Sequence, residues 1–243
     1  MLMIKVEHIS EPDFEGAVRG MRNPLNSWEK SDSIRCGTAG PGYIFSLGMK
    51  DLDLMNRLYN AGPEHRKFMR QIFVTMDITA PLYWWKEFDQ YKVGVTTDSC
   101  STMHTITAKK FTPDDFSDEH LMDGYDLSEE WDKDHSFIYP DLKLDEYAND
   151  DPITLLMTII FMLNWARDMY LKTKDKKYWW QIIQLLPSSY NQRRTVSMSY
   201  ENAANMIRQR TGHKLDEWNT FVDILRTLPY MEEIIKPREK DGS

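Results

Sequence analysis

Cys100 lies eight residues after Lys92 and four before His104. A thiol attacks as the thiolate, and a nearby cation lowers its pKa, so Cys100 with Lys92 or His104 could supply a nucleophile. The simpler expectation for Cys100 is an inert, half-buried thiol. His65 and His104 suit proton transfer or cofactor contact near neutral pH, although each reads first as a satisfied structural histidine. His8, His120, His135 and His213 support no functional claim. Asn205 and Arg210 stand five apart in a helical stretch and so point roughly 140° from one another around the axis. They would meet two ligands, or two faces of a site. The pairs in "YWW" (residues 83–85) and Trp179–Trp180 could stack on a planar ring, although at helical spacing they read first as core.

The elements that must position these residues belong to a chain of 243 residues, 41% hydrophobic and with eight tryptophans. That is enough apolar surface to build one folded domain without a disulfide or metal staple. The two cysteines, Cys36 and Cys100, form no metal-spaced pair and suggest a reducing, cytoplasmic setting. The opening "MLMIKVEHIS" alternates like a strand and does not read as a leader. The apolar window 153–170 is interrupted by Asn164, Arg167 and Asp168, which predicts a buried helix and no membrane span. The net charge of −8 is local: residues 114–151 hold fifteen acidic residues against two lysines, leaving 28 basic and 23 acidic residues elsewhere. A mildly basic remainder with an arginine cluster permits phosphate ligands, whereas no basic stripe suggests a nucleic-acid duplex.

The periodicities predict strands over 2–8 and 71–78, and a strand or buried turn over 42–48. A helix should carry Leu52, Met55 and Leu58 on one face and stop at Gly62–Pro63. Thr79 should cap a helix with Pro81 in its first turn, running to about Gln90. A loop should then enter a strand near Thr102–Ala108. The acidic stretch 113–151 reads as an ordered insertion whose aromatics, among them Phe116, Tyr125, Trp131 and Tyr139, pack on the body, its acids being a solvated face. Asp150, Asp151 and Pro152 start the long helix, and a second one ends at Pro187. Helices from Ser199 to Gly212 and over 214–229, the latter with Leu215, Trp218, Val222 and Leu225 as its stripe, complete a C-terminal half read as helical. Residues 236–243 form a frayed end.

Two blocks, "HRKFMRQIFVTMDITAPLYWWKEFDQYKVGVTTDSCSTM" and "LLPSSYNQRRTVSMSYENAANMIRQRTGHKLDEW", cover roughly a third of the chain. Together they resemble the flavin-dependent thymidylate synthase family. In that family FAD mediates methylene transfer from methylenetetrahydrofolate to dUMP, and NADPH reduces the flavin. The resemblance implies an α/β (α+β) fold, with a small sheet, long helices and a helical C-terminal half, in one domain spanning 1–243. It also implies a homotetramer, because the family builds each site from several subunits.

Carried over residue by residue, the family's Arg-His-Arg signature falls on Gln90, Tyr91 and Lys92, and the glutamine ahead of it on Glu87. The upstream Glu-His pair falls on Arg70 and Gln71. Loop residues fall on Val95, Thr97, Asp98, Cys100, Thr102 and Met103, a helix-start asparagine on Ser199, and an arginine near Ile183. Arg193, Asn205 and Arg210 stay in place. The resemblance therefore implies nucleotide contacts from Arg210, Arg193, Glu87, Asp98 and Cys100, with Lys92 and Arg194 as helpers. It implies cofactor contacts from Asn205, Ser199, Gln90, Tyr91, Lys92 and Gln71. A guanidinium is a permanently charged fork that neither glutamine nor lysine reproduces, so FAD should be held less tightly in the family's manner. The expected activity is that of a divergent enzyme acting on a dUMP-like pyrimidine nucleotide. The alternatives are a catalytically silent nucleotide-binding or assembly protein on the same scaffold, or a changed reaction such as hydroxymethylation.

Overall fold

The computed structural model describes residues 4–36, 44–123 and 151–238. Most of the acidic insertion, with Tyr125, Trp131 and Tyr139, lies outside the described residues, as do the first residues of the predicted 2–8 strand and part of the 42–48 segment. The described chain divides into two compact units.

The larger unit comprises Ile4–Thr79, Trp84–Ser99 and Arg193–Ser243. Its strands include β1 (Lys5–Glu7), β2 (Ile34–Cys36), β3 (Ile44–Ser46), β4 (Phe73–Pro81), β5 (Val95–Ser99) and β6 (Asn191–Ser199), and the main sheet has the order β1-β4-β6-β5. β1 pairs antiparallel with β4, placing Val6 opposite Ile78, and β5 pairs antiparallel with β6, placing Asp98 opposite Thr195. β2 and β3 form a separate two-stranded ribbon. On β4 the period-2 pattern buries Val74, Met76, Ile78 and Ala80 completely and turns Thr75, Asp77 and Thr79 to the other face.

The helices of this unit are α1 (Glu15–Arg22), α2 (Met49–Ala61), α3 (Leu82–Phe88), α7 (Tyr200–Arg210), α8 (Asp216–Arg226) and α9 (Met231–Ile235). α2 carries Leu52 and Met55 inward and ends at Gly62, whose φ of +129° suits only glycine. Its start is fixed by Asp32, whose carboxylate accepts from the Lys50 and Asp51 N–H groups. α7 is capped by Ser199, whose hydroxyl accepts from the Asn202 N–H. Trp84, Trp85, Phe88, Trp218 and Phe221 make the aromatic core, all fully buried, so the two tryptophans of "YWW" are packing rather than a stacking platform.

The smaller unit contains Ala80–Tyr83 and Cys100–Gln192, with α4 (Thr102–Thr105), α5 (Pro152–Thr173) and α6 (Lys176–Leu185). Its core gathers Ile106, Phe111, Phe116, Leu156, Ile160, Leu163, Ala166 and Ile182. Phe116 thus packs as expected of an aromatic in the acidic stretch. Asn164, an interruption in the apolar window, is half-buried and bonds both polar atoms of the Phe111 backbone, so its amide is satisfied at the edge of this core.

Five expectations need correction. The strand containing Thr79 continues to Pro81, and Thr79 caps nothing: the first N–H groups of α3 go to the Tyr190 and Ser188 carbonyls, which makes a capping side chain unnecessary. The strand placed at Thr102–Ala108 sits instead at Val95–Ser99, where β6 provides its ladder, while Ser101 caps the α4 turn. The C-terminal half is not wholly helical, since β6 occupies nine of its residues. α5 is not a buried helix: Leu156, Ile160, Leu163 and Ala166 face the core, while Leu155, Phe161, Met162 and Trp165 are exposed. Trp180 is also exposed, beneath the Lys176 ammonium, so only Trp179 of that pair packs on the core.

Candidate functional site

The sequence elements that bring Arg210 to its place are short-range and clear. Ser199 starts α7, Arg210 closes its last turn, and Gly212, at φ +72°, turns the chain toward α8. On the facing side, α3 ends at Phe88 and residues 89–94 cross to β5. That crossing is pinned by Asn202, whose side-chain amide donates to the Val93 carbonyl at 2.8 Å. Gly94 has φ +76°, and a Cβ there would sit 2.9 Å from Asn202 Oδ1, so this turn admits glycine alone.

At the centre, Arg210 Nη1 donates to Glu87 Oε2 at 2.5 Å and Arg210 Nε donates to the Tyr91 hydroxyl at 3.0 Å. The Tyr91 hydroxyl in turn donates to Gln209 Oε1 at 3.0 Å. The buried Trp218 indole donates to the same Glu87 oxygen at 3.1 Å and lies under the Arg210 guanidinium, 4.5 Å from its centre. His213 Nδ1 accepts from the Leu215 N–H at 3.1 Å, and its Nε2 lies 2.9 Å from Arg210 Nη1 and 3.4 Å from Glu87 Oε2. Glu87 Oε1 and Arg210 Nη2 have no hydrogen-bond partner among the described residues. The ion pair is only partly screened from water, its side chains being 18% and 36% exposed. It therefore keeps one donor nitrogen and one acceptor oxygen available on a rigid base.

Of the sequence-derived set, the structure brings together Glu87, Tyr91 and Arg210. The other arginines are matched elsewhere. Arg193 pairs with Asp77 at 2.5 Å, and Thr195 donates to the other oxygen of that carboxylate. These two bonds hold the Asp77 carboxyl below its ordinary range, the Thr195 hydroxyl contributing most. Arg194 pairs with Asp89 at 2.7 Å and lies over the Trp85 ring, and Arg70 pairs with Glu201. Gln90 turns back to the Lys86 carbonyl. Lys92 is exposed with no side-chain partner among the described residues, and so is Asp98. The Asn205 and Gln71 amides likewise bond to no described residue, Asn205 half-buried and Gln71 exposed. The Ser199 hydroxyl donates to Asn202 Oδ1 as it caps α7. Cys100 is an exposed free thiol, not a half-buried one, and its carbonyl accepts from Gln192. His65 is exposed.

Sequence reasoning missed His213, Gln209 and Asn202 as members of this cluster. Trp218 was legible only as part of an apolar stripe. No local pattern marks them, because each acts through a partner more than a hundred residues away or across the turn that follows α7.

No family model and no curated protein sequence matches the chain. Among solved structures, it is similar to the flavin-dependent thymidylate synthase ThyX from Helicobacter pylori complexed with FAD and dUMP. The TM-score is 0.60 at 16% identity, over 96% of this chain and 97% of that one. A second structure of the Helicobacter pylori enzyme, also with FAD and dUMP, gives 0.59 at 15% identity, covering 97% of each chain. The chain thus has the ThyX fold: a mixed α/β structure with a small sheet.

Proposed function

We propose that this chain is a divergent flavin-dependent thymidylate synthase-like enzyme acting on a dUMP-like pyrimidine nucleotide, by methylene transfer from methylenetetrahydrofolate with flavin-mediated reduction. The observation that carries the reading is the Arg210–Glu87 pair. Residues 123 apart in sequence are assembled at the positions where the resemblance expects nucleotide contacts, and each keeps an unused polar atom. A pyrimidine presents neighbouring donors and acceptors on its edge, which such an open donor–acceptor pair can engage.

The residues fit a flavin in part. The Asn205 and Gln71 amides suit the ring's imide edge and Lys92 suits one phosphate, whereas no guanidinium stands at 90–92. When bound, a flavin would supply hydride transfer, and these side chains would hold and orient it.

One observation favours the second reading, a silent nucleotide-binding scaffold. Arg193, Arg194 and Arg210 each already face a carboxylate of the same chain, which lowers the net charge available to a phosphate. The visible spectrum of the protein after incubation with FAD and desalting separates the two. The enzyme reading expects a retained flavin band and turnover of dUMP or of a related pyrimidine nucleotide, hydroxymethylation included. A colourless protein with no turnover would leave only the scaffold.

The exposed apolar face of α5 supports a homo-oligomer, proposed as a tetramer, which light scattering would test. The two exposed free thiols fit a cytoplasmic setting. No helix among the described residues is long and apolar enough to cross a membrane.

A further inference from the structure

Although the chain is acidic overall, with a net charge of −8, one surface of the larger unit gathers positive charge. Lys50, Asp53 and Arg57 stand at i, i+3 and i+7 on the exposed face of α2, opposite the buried Leu52 and Met55. With Arg22, Lys30 and Met49 they line a cavity of about 450 Å³, within the range of small-molecule sites. None of these residues belongs to the Arg210 cluster. The surroundings are firmly tied. Lys30 ends a turn in which its N–H donates to the Ser27 carbonyl, and the next residue, Ser31, donates its hydroxyl to Asp51 at 2.6 Å. Arg22 is clamped between Asp51 and the Ser27 carbonyl. The C-terminal segment is fastened to α2, where the Asn60 amide donates to the Lys236 carbonyl at 3.0 Å and Arg238 Nη1 donates to Asp53 Oδ1 at 2.7 Å.

The cations here are not matched one to one. Arg70, Arg194 and Arg226 each face a carboxylate of their own. By contrast Arg57 meets Asp53 only through Nε, at 3.0 Å, and Arg238 takes the other oxygen, so two guanidinium groups share one carboxylate. The exposed Lys30 and Lys50 ammonium groups meet no carboxylate among the described residues. Asp32, which reaches the same end of α2, spends both its oxygens on the Lys50 and Asp51 N–H groups. Arg22 adds no net charge, because Asp51 cancels it. Unmatched cations gathered around one cavity repel each other, a cost that an anion seated among them would remove.

We infer that this cavity binds a di- or triphosphate group, free or carried by a nucleotide, with Lys30, Lys50 and the terminal nitrogens of Arg57 as its donors. Lysine binds phosphate as a compact point charge, and a guanidinium forks across two of its oxygens. A chain of phosphates presents charge and acceptor oxygens to several separate cations at once, which a single phosphate does less well. Met49, 75% exposed, adds an adaptable apolar contact for a nucleoside. This site goes beyond the thymidylate synthase-like reading and shares no residue with it.

The test is isothermal titration calorimetry of the full chain at low salt, with pyrophosphate, tripolyphosphate, ATP and inorganic phosphate titrated separately. Saturable binding of the polyphosphates at one site is expected, weakening as salt is added. The double variant Lys30→Ala/Lys50→Ala should bind them roughly tenfold more weakly or worse. Asp53→Asn removes the carboxylate that competes with the ligand for Arg57, and should bind several-fold more tightly, an outcome that loss of folding cannot mimic. Tighter binding of ATP than of tripolyphosphate would identify a nucleotide as the source, and equal binding would identify free polyphosphate. Arg210→Ala should bind pyrophosphate as the parent does, while the double lysine variant should keep any stabilisation by dUMP, so failure here and failure of the nucleotide reading are distinguishable. The inference is overturned if no polyphosphate binds at millimolar concentration, or if inorganic phosphate binds as tightly as pyrophosphate. It is also overturned if the double lysine variant binds as tightly as the parent, or if Asp53→Asn binds no more tightly.

Discussion

Two arginine–carboxylate pairs in the larger unit differ in their setting. Arg22 and Asp51 are 5% and 0% exposed, and Asp51 is saturated: Arg22 holds one oxygen, and the Ser31 hydroxyl and the Ser33 hydroxyl and N–H hold the other. Arg210 and Glu87 are partly open to water, and each keeps an unused polar atom. A sealed, fully matched pair has nothing left to offer a ligand and serves to tie the 31–33 loop to α2. A pair at the surface with vacancies can exchange partners. The charges are alike, and only burial and bond count separate structure from candidate function.

Breaking the sealed pair should have the largest effect. Asp51→Ala leaves the Arg22 guanidinium buried and uncompensated, so unfolding by urea should show a loss of roughly 3–5 kcal/mol. The pH dependence has a definite sign. Burial raises the Asp51 pKa, but the bonds from Ser31, Ser33 and Arg22 outweigh it and hold the carboxyl below its ordinary value. Its stabilising contribution is therefore complete above the unfolded value of about 3.9 and is lost as pH falls through the lower folded value. Urea midpoints between pH 5 and pH 2 should fall more steeply for the parent than for Asp51→Asn, and parallel curves would contradict the assignment.

Next in size is Gly94→Ala, which forces a side chain onto φ +76° and against Asn202. It should lower stability by roughly 1–2 kcal/mol, read from the same unfolding curves, and weaken nucleotide binding by displacing Tyr91. Cys100→Ser should have the smallest effect. The thiol is exposed, so stability should stay within about 0.5 kcal/mol and dUMP binding should be unchanged. A complete loss of turnover in that variant would instead support Cys100 as a thiolate nucleophile.

The contrast between the two pairs also shows where the sequence was legible. Ser199, Gly62 and Asp151 act within one turn of themselves, and the helix ends they mark lie where local capping chemistry places them. Trp84 and Trp85 were readable as core because helical spacing repeats in the primary structure. β5 was misplaced because its ladder comes from β6, almost a hundred residues on, and a polar β-branched run does not say which part of it will find that partner. α5 looked buried because an apolar run specifies hydrophobicity, not the width of the face the core can cover. In the site, Glu87 and Arg210 were found through family resemblance, while His213 and Gln209 carry no pattern in the sequence and become visible only when α7 meets the 87–91 segment.

The central claim, that the open pair takes a pyrimidine nucleotide, is tested most directly by the thermal midpoint with and without dUMP in the parent and in Arg210→Ala. The parent should be stabilised in a dose-dependent way by mass action. Arg210→Ala, whose loss of a partly exposed pair should itself cost only about 1 kcal/mol or less, should gain nothing from dUMP. An equal shift in both proteins, or none in the parent, would contradict the assignment.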